Sequence, residues 1–369
     1  MKPIIAFFAT FLFLQLAHTE VLKWRQIKPW KSGQTGPSDR EHPTIWLDAK
    51  ADRLYLFGGL NYAVPQESVN DFWVLDLKKE TWKKGQQEGI IPGSLGRAAV
   101  IPESSSLLYY GGERDGKIDF KIFLGTFVQD KISWSIKPSS SAEFPGFPNS
   151  LGSFIFNPTE KNFVSLCGVS EAAHCTALTV DLAQANSNSE LVSVWGLLHP
   201  GAEEPAGRYG FSFALDIKRN RIVIASGQTN PSDVGGKQVF DQAEDTWFAD
   251  LTAAHDSKIQ WSKMKSPNNL PKRRNGCWAH DTENNQLYVW GGTADGSTAV
   301  PGLYRLDLND ETHGWQSMQT QGSAPIRASC VGLYDSVRKR VLFGFGNTLD
   351  PEKNKIQPFT DLWELTIRK

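Results

Sequence analysis

An all-β fold of six repeated units, closed into a ring, is predicted by three observations: one short strand that recurs six times, a glycine that ends every copy, and a tryptophan spaced after it. The strand reads RLYLFGG at 53–59, LLYYGG at 107–112, FVSLCG at 163–168, IVIASG at 222–227, LYVWGG at 287–292 and VLFGFG at 341–346. Its final glycines, Gly59, Gly112, Gly168, Gly227, Gly292 and Gly346, recur at intervals of 53 to 65 residues. A fixed period of this length points to a propeller or solenoid.

Each copy is too short for a helix and apolar on both sides of the pleat, so both faces should be buried, as they are when sheets stack around an axis. The terminal glycine suits a turn or a close backbone approach. The residue before it drifts, being Gly58, Gly111, Cys167, Ser226, Gly291 and Phe345. Trp82, Trp134, Trp195, Trp261 and Trp315 follow the first five glycines by 23, 22, 27, 34 and 23 residues. Between glycine and tryptophan lies another strand, FWVLDL at 72–77, LTVDL at 178–182, WFADL at 247–251 or LYRLDL at 303–308. The sixth unit has DLWEL at 361–365 but no later tryptophan, whereas Trp24, in VLKWRQI, has no unit of its own. The N-terminal strand should therefore complete the last sheet and close the ring.

Hydrophobic strand, diglycine, spaced aromatic and closing tryptophan together resemble kelch repeats, across essentially all of 20–369. The resemblance implies a six-bladed kelch-type β-propeller with four antiparallel strands per blade, the strand around Trp24 closing it. Cys167, Ser226 and Phe345 depart from the diglycine pattern.

Residues 1–19 read as a secretory signal: Lys2, an apolar core from Ile4 to Leu16, then small residues before Glu20. That core is short for a membrane span, and no later stretch is long enough to be one. A secreted or otherwise exported chain of residues 20–369, folded as one propeller, is the expectation. The formal net charge of −1 becomes −2 without Lys2, which argues against nonspecific nucleic-acid or membrane binding through overall charge. Of the four cysteines, Cys167 and Cys175 flank a short loop and suit a local disulfide in an oxidising compartment. Cys277 and Cys330 fall on opposite sheet faces in neighbouring blades. They either meet between the blades or stay apart as buried thiols.

In a four-stranded meander, the links between blades and the loops after each glycine pair share one face. Those loops vary in length, and variable loops on a rigid scaffold are where binding usually resides. Arg40, Arg208, Arg273 and Arg327 each lie 18 residues before the first small residue of their unit, Asn149 holds that place in the third, and Arg97 lies 14 before Gly111. Kelch propellers that bind acidic peptides line a central mouth with arginines of this link. The resemblance carries that role to Arg40, Arg97, Arg208, Arg273 and Arg327, whose guanidinium forks would grip carboxylates. The other expectation is that each bonds its own loop carbonyls and neighbouring acids.

Nothing in the sequence marks a catalytic residue, cofactor or metal site. His18, His42, His174, His199, His255, His280 and His313 show no ligand-like spacing, which weighs against a copper-oxidase-like reading. Glu41, Glu67, Glu113 and Glu171 lie on the arginine side, with Tyr62, Phe240 and Phe359. They keep a sialic-acid-mutarotase-like enzyme as the alternative. The favoured expectation is an exported binding or scaffold protein that recognises a protein, or an acidic peptide or carbohydrate, on its loop-rich face.

Overall fold

The computed structural model describes residues 21–62, 67–101, 104–114, 117–118, 121–137, 152–168, 175, 177–181, 195–200, 203–229, 232–234, 237–239, 241–252, 258–296, 298–350 and 352–368. The signal-like segment 1–19, Asn149, Glu171, His174, Phe240 and His255 lie outside them.

Each repeated phrase forms the second strand of an antiparallel meander. Arg53–Phe57, Ser106–Tyr110, Arg221–Ala225 and Gln286–Trp290 are buried on both faces from their second residue onward. In the first unit Thr44–Asp48, Arg53–Phe57, Phe72–Asp76 and Thr81–Lys84 follow one another across the sheet. First strands of neighbouring units stand side by side around the axis, and Thr44–Asp48 meets Val331–Asp335 where the ring closes. The apolar core lies between the sheets, so each sheet is sealed by its neighbours.

Val21–Gln26 completes the last sheet. It runs antiparallel to Leu362–Arg368, with Trp24 opposite Leu365. Trp24 packs on Trp290 and Phe343, with ring centroids at 4.9 and 5.9 Å. Arg25 bonds Glu364 of the last unit and Glu80 of the first, each at 2.6 Å.

The count of six separate sheets needs correction: the large sheets number five. Where the chain leaves an outer strand, it runs alongside the outer strand of the next unit. Gln86–Gly89 pairs in parallel with Lys131–Lys137, and Thr320–Gln321 with Val21–Gln26. Between the third and fourth units the outer strand Trp195–Pro200 enters this pairing without a break, placing His199 opposite Lys258. The two meanders thereby merge into one eight-stranded sheet. Sequence periodicity counts repeated strands, not gaps between sheets, and so could not register the fusion.

The drifting first small residue and the constant glycine have one backbone explanation. Gly58, Gly111, Cys167, Ser226, Gly291 and Phe345 have φ between 52° and 73°, a left-handed conformation that other residues can adopt at a cost. The following glycines have φ between 81° and 124°, where a side chain is far less tolerated. A Cβ on Gly59 would also come within 2.9 Å of the Glu41 carbonyl oxygen. The departures at Cys167, Ser226 and Phe345 therefore leave the turn unchanged.

All four cysteines are in disulfides, Cys167–Cys175 within the third unit and Cys277–Cys330 between the fifth and sixth. Their Cα separations are 4.6 and 5.1 Å. The second bond spans 53 residues and the first spans 8, so the chain-entropy model makes Cys277–Cys330 the stronger clamp. Cys277→Ala is expected to lower unfolding free energy by about 4 kcal/mol and Cys167→Ala by about 2.5 kcal/mol. Denaturant titration of the two variants checks the order; equal losses would contradict it.

Candidate functional site

Arg40, Arg208, Arg273 and Arg327 are buried side chains that repeat one pattern. Nε donates to the carbonyl two residues back, on Ser38, Ala206, Pro271 or Pro325, at 3.0–3.1 Å. Nη1 donates to the carbonyl eighteen residues on, on Gly58, Ser226, Gly291 or Phe345, at 2.8–3.2 Å. The 18-residue spacing is thus the length of one strand hairpin, returning the chain to its own guanidinium.

Three of the four also hold an acid. Arg40 pairs with Asp71, Arg208 with Asp245 and Arg327 with Asp361, each at 2.5 Å. The same aspartates accept a hydrogen bond from the indole N–H two residues on, of Trp73, Trp247 or Trp363, at 2.6–2.8 Å. The fifth unit reads Pro-Gly-Leu-Tyr there, and Arg273 instead lies over the Tyr304 ring at 4.6 Å. Arg327 is covered in addition by Phe359, 4.2 Å from its guanidinium carbon. These four arginines are locked within their own units and do not converge on a mouth.

Arg97 is not their counterpart. It opens the first strand of its unit, opposite Tyr110, and the residue 18 before Gly111 is Gly93. The Tyr109 hydroxyl ties that link, donating to the Gly93 carbonyl and accepting from the Gly96 N–H, both at 2.7 Å. The first hairpin is of ordinary length; the arginine is simply missing.

The mouth is built by the residues next to the buried arginines. Glu41, Ser94, Arg274 and Ala328 pair with Leu60, Glu113, Thr293 and Asn347, the first residues after the glycine pairs. One residue further, His42, Leu95, Gly210, Asn275 and Ser329 all have φ between 48° and 66°. Their backbones link units around the axis: His42 N–H to the Ser329 carbonyl at 3.0 Å, Ser329 to Asn275 and Asn275 to Gly210 at 2.7 Å. At the rim the Tyr62 hydroxyl donates to Glu41 at 2.6 Å, and the Asn347 amide donates to the same carboxylate at 2.9 Å. Burial first, then the Glu41 charge, pushes the Tyr62 hydroxyl far above its ordinary pKa.

Two chambers meet at His42 and Asn275. The upper, about 330 Å³, is lined by Glu41, Tyr62, Thr293, Asn347 and Ile356 among others. The lower, about 440 Å³, follows the axis between first strands and is largely apolar, with Ile45, Phe154, Phe213 and Trp278 on its wall. Arg97 lines it near the top. His42 is held neutral: desolvation, then the charges of Arg97 and Arg274, push its pKa down to about 3. His280, at the floor, is lowered by burial and bonded to Asn285 at 3.1 Å.

Above the rim, four two-stranded hairpins rise from the post-glycine loops: Leu60–Asn61 with Glu67–Ser68, Glu113–Arg114 with Lys117–Ile118, Ser232–Val234 with Lys237–Val239, and Asn347–Asp350 with Lys355–Pro358. Glu67, Ser68, Lys117, Lys355 and Ile356 on them are exposed. The turns of the opposite face are instead tied from unit to unit, Arg338 to Asp52 at 2.5 Å and Arg221 to Glu311 at 3.0 Å. Arg219 there donates to the Asn309 carbonyl at 3.1 Å. Among the described residues no three His, Cys, Asp or Glu side chains are grouped to hold a metal ion, and no helix is long and apolar enough to cross a membrane.

The Asp-x-Trp lock went unread in the sequence, although DFW at 71–73, DTW at 245–247 and DLW at 361–363 stand there plainly. A model of the kelch motif matches residues 50–87, which run from the first turn through the outer strand of the first unit.

Proposed function

Because the chain belongs to the kelch-repeat β-propeller family, a fold that suggests a binding or scaffold role, we propose that it is an exported protein that holds a protein partner against its hairpin-bearing face. The observation that carries this is the asymmetry of the two faces. One bears four hairpins with exposed tips, while the turns of the other are cross-linked to their neighbours. A rigid ring under protruding hairpins presents a pre-organised surface, which limits the entropy lost on association.

The hairpins carry both signs of charge, Glu67, Glu113 and Asp350 beside Arg114, Lys117 and Lys355, with Ile356 exposed among them. Mixed charge around an apolar residue suits another protein surface better than a uniformly acidic ligand. Export is supported by the leader-like residues 1–19 and by the pairing of all four cysteines.

The test is affinity capture with the mature chain and hairpin variants. Lys117→Glu combined with Ile356→Glu should weaken a captured partner about tenfold or more, as loss of an apolar anchor and a rim charge does. Lys50→Glu, on an opposite-face turn, should leave it unchanged. Equal retention by both variants, or loss with Lys50→Glu alone, would overturn the proposal.

A further inference from the structure

We infer that the axial cavity is a binding site for an amphipathic carboxylate, its apolar body in the lower chamber and its carboxylate against Arg97 and Arg274 at the His42 constriction. This site is separate from the hairpin surface and from the four locked arginines.

The argument starts from an imbalance of charge. Arg97 lines the chamber and has no carboxylate partner. Its Nε and Nη1 reach only the Gly152 and Gly96 carbonyls, each at 3.3 Å, and Nη2 has no partner among the described residues. Desolvation pushes its pKa down to about 10, as a buried cation without a counter-charge should show. Arg274 likewise bonds only neutral groups, the Tyr209 hydroxyl at 3.1 Å, the Gln228 amide oxygen and the Gly296 carbonyl at 3.4 Å. Its buried Nε finds no acceptor. Both cations lie close enough for their charges to bear on His42, so they flank one constriction.

Three polar features there lack complements. Besides the two guanidinium groups, the buried Asn275 Oδ1 has no donor, and Asn275 lines both chambers. The only carboxylate lining either chamber is Glu41, which accepts from Tyr62 and Asn347 at the rim. A protein rarely leaves a buried guanidinium uncompensated, because burying a charge without a partner costs several kcal/mol. A carboxylate entering from above supplies the missing acceptors in the planar form that a guanidinium fork matches.

Below the constriction the ligand meets no further charge except His280 at the floor, held neutral by burial. The wall offers Phe154, Phe156, Phe211, Phe213 and Trp278. A chamber of about 440 Å³ falls in the range of small-molecule sites. An inorganic anion would leave this space unfilled, and a sugar acid would leave its hydroxyls against rings. An alkyl or aryl-alkyl carboxylate fits both ends.

The test is calorimetric titration of the full mature chain with decanoate and 3-phenylpropionate, against decan-1-ol and inorganic phosphate. A carboxylate should bind at least about tenfold more tightly than the alcohol, and Arg97→Gln should lose about tenfold or more, as expected for a charge-assisted contact. Arg274→Gln should weaken binding in the same direction, and it decides the matter where Arg97→Gln does not fold. Absence of carboxylate binding, equal binding of alcohol and acid, tighter binding of phosphate, or indifference of a folded variant would each overturn the inference.

Discussion

Deleting Val21–Gln26 should remove most of the cooperative stability of the ring. The deletion strips Leu22 and Trp24 from the cluster they share with Trp290 and Phe343. It also leaves Leu362–Arg368 as an unpaired edge, open to association with other chains. Glu364 and Glu80 lose Arg25, their common partner. Trp24→Ala alone is expected to cost about 3–5 kcal/mol, since a buried aromatic is replaced by a cavity. Thermal and denaturant unfolding of both forms measure this. A deleted chain that melts with the intact one would mean that the ring closes some other way.

Breaking one arginine lock should cost nearly as much, and the loss should appear as stability rather than affinity. Arg40→Ala strands the Asp71 carboxylate and the Ser38 and Gly58 carbonyls, which a buried, fully bonded guanidinium now satisfies. Removal of one member of such a pair costs about 3–5 kcal/mol. Arg40→Lys should recover little, because a single ammonium cannot span the carbonyls and both carboxylate oxygens. The effect also has a pH signature. Burial alone would raise the Asp71 pKa, but the hydrogen bonds and charge of Arg40, with the Trp73 N–H, outweigh it and hold the carboxyl below its ordinary value. A depressed carboxyl pKa stabilises the fold above the unfolded value, and that contribution fades as pH falls through the folded one. Wild type should therefore lose more stability than Arg40→Ala on going from neutral pH to below pH 3.8. Parallel unfolding curves across that range would contradict the lock.

The repeated strand, the glycine and the closing Trp24 were legible because each is a local demand. Two-sided burial requires an apolar run, a left-handed turn requires glycine, and a ring with a missing last strand must find it at the other end. The arginines misled because spacing alone does not say where a side chain points. Eighteen residues is the span of a hairpin that folds the chain back onto Arg40, not the span of a wall around a mouth. Arg97 was assigned by analogy to a shortened hairpin, and only the pairing of Arg97 with Tyr110 shows that Gly93 holds the link position. Cys277 and Cys330 stayed undecided because alternation gives a sheet face, whereas their meeting depends on how adjacent units turn toward each other. The approach of Arg97 and Arg274 to His42 is likewise a product of ring closure, joining residues from three units that no sequence window contains.

Hydrogen exchange of the mature chain, alone and saturated with its captured partner, tests recognition by the hairpin face most directly. Protection should gather in 60–68, 113–118 and 347–358, with the turns at 48–53, 281–286 and 335–340 unchanged. Protection of those opposite turns, with the hairpins exchanging as freely as in the unbound chain, would contradict it.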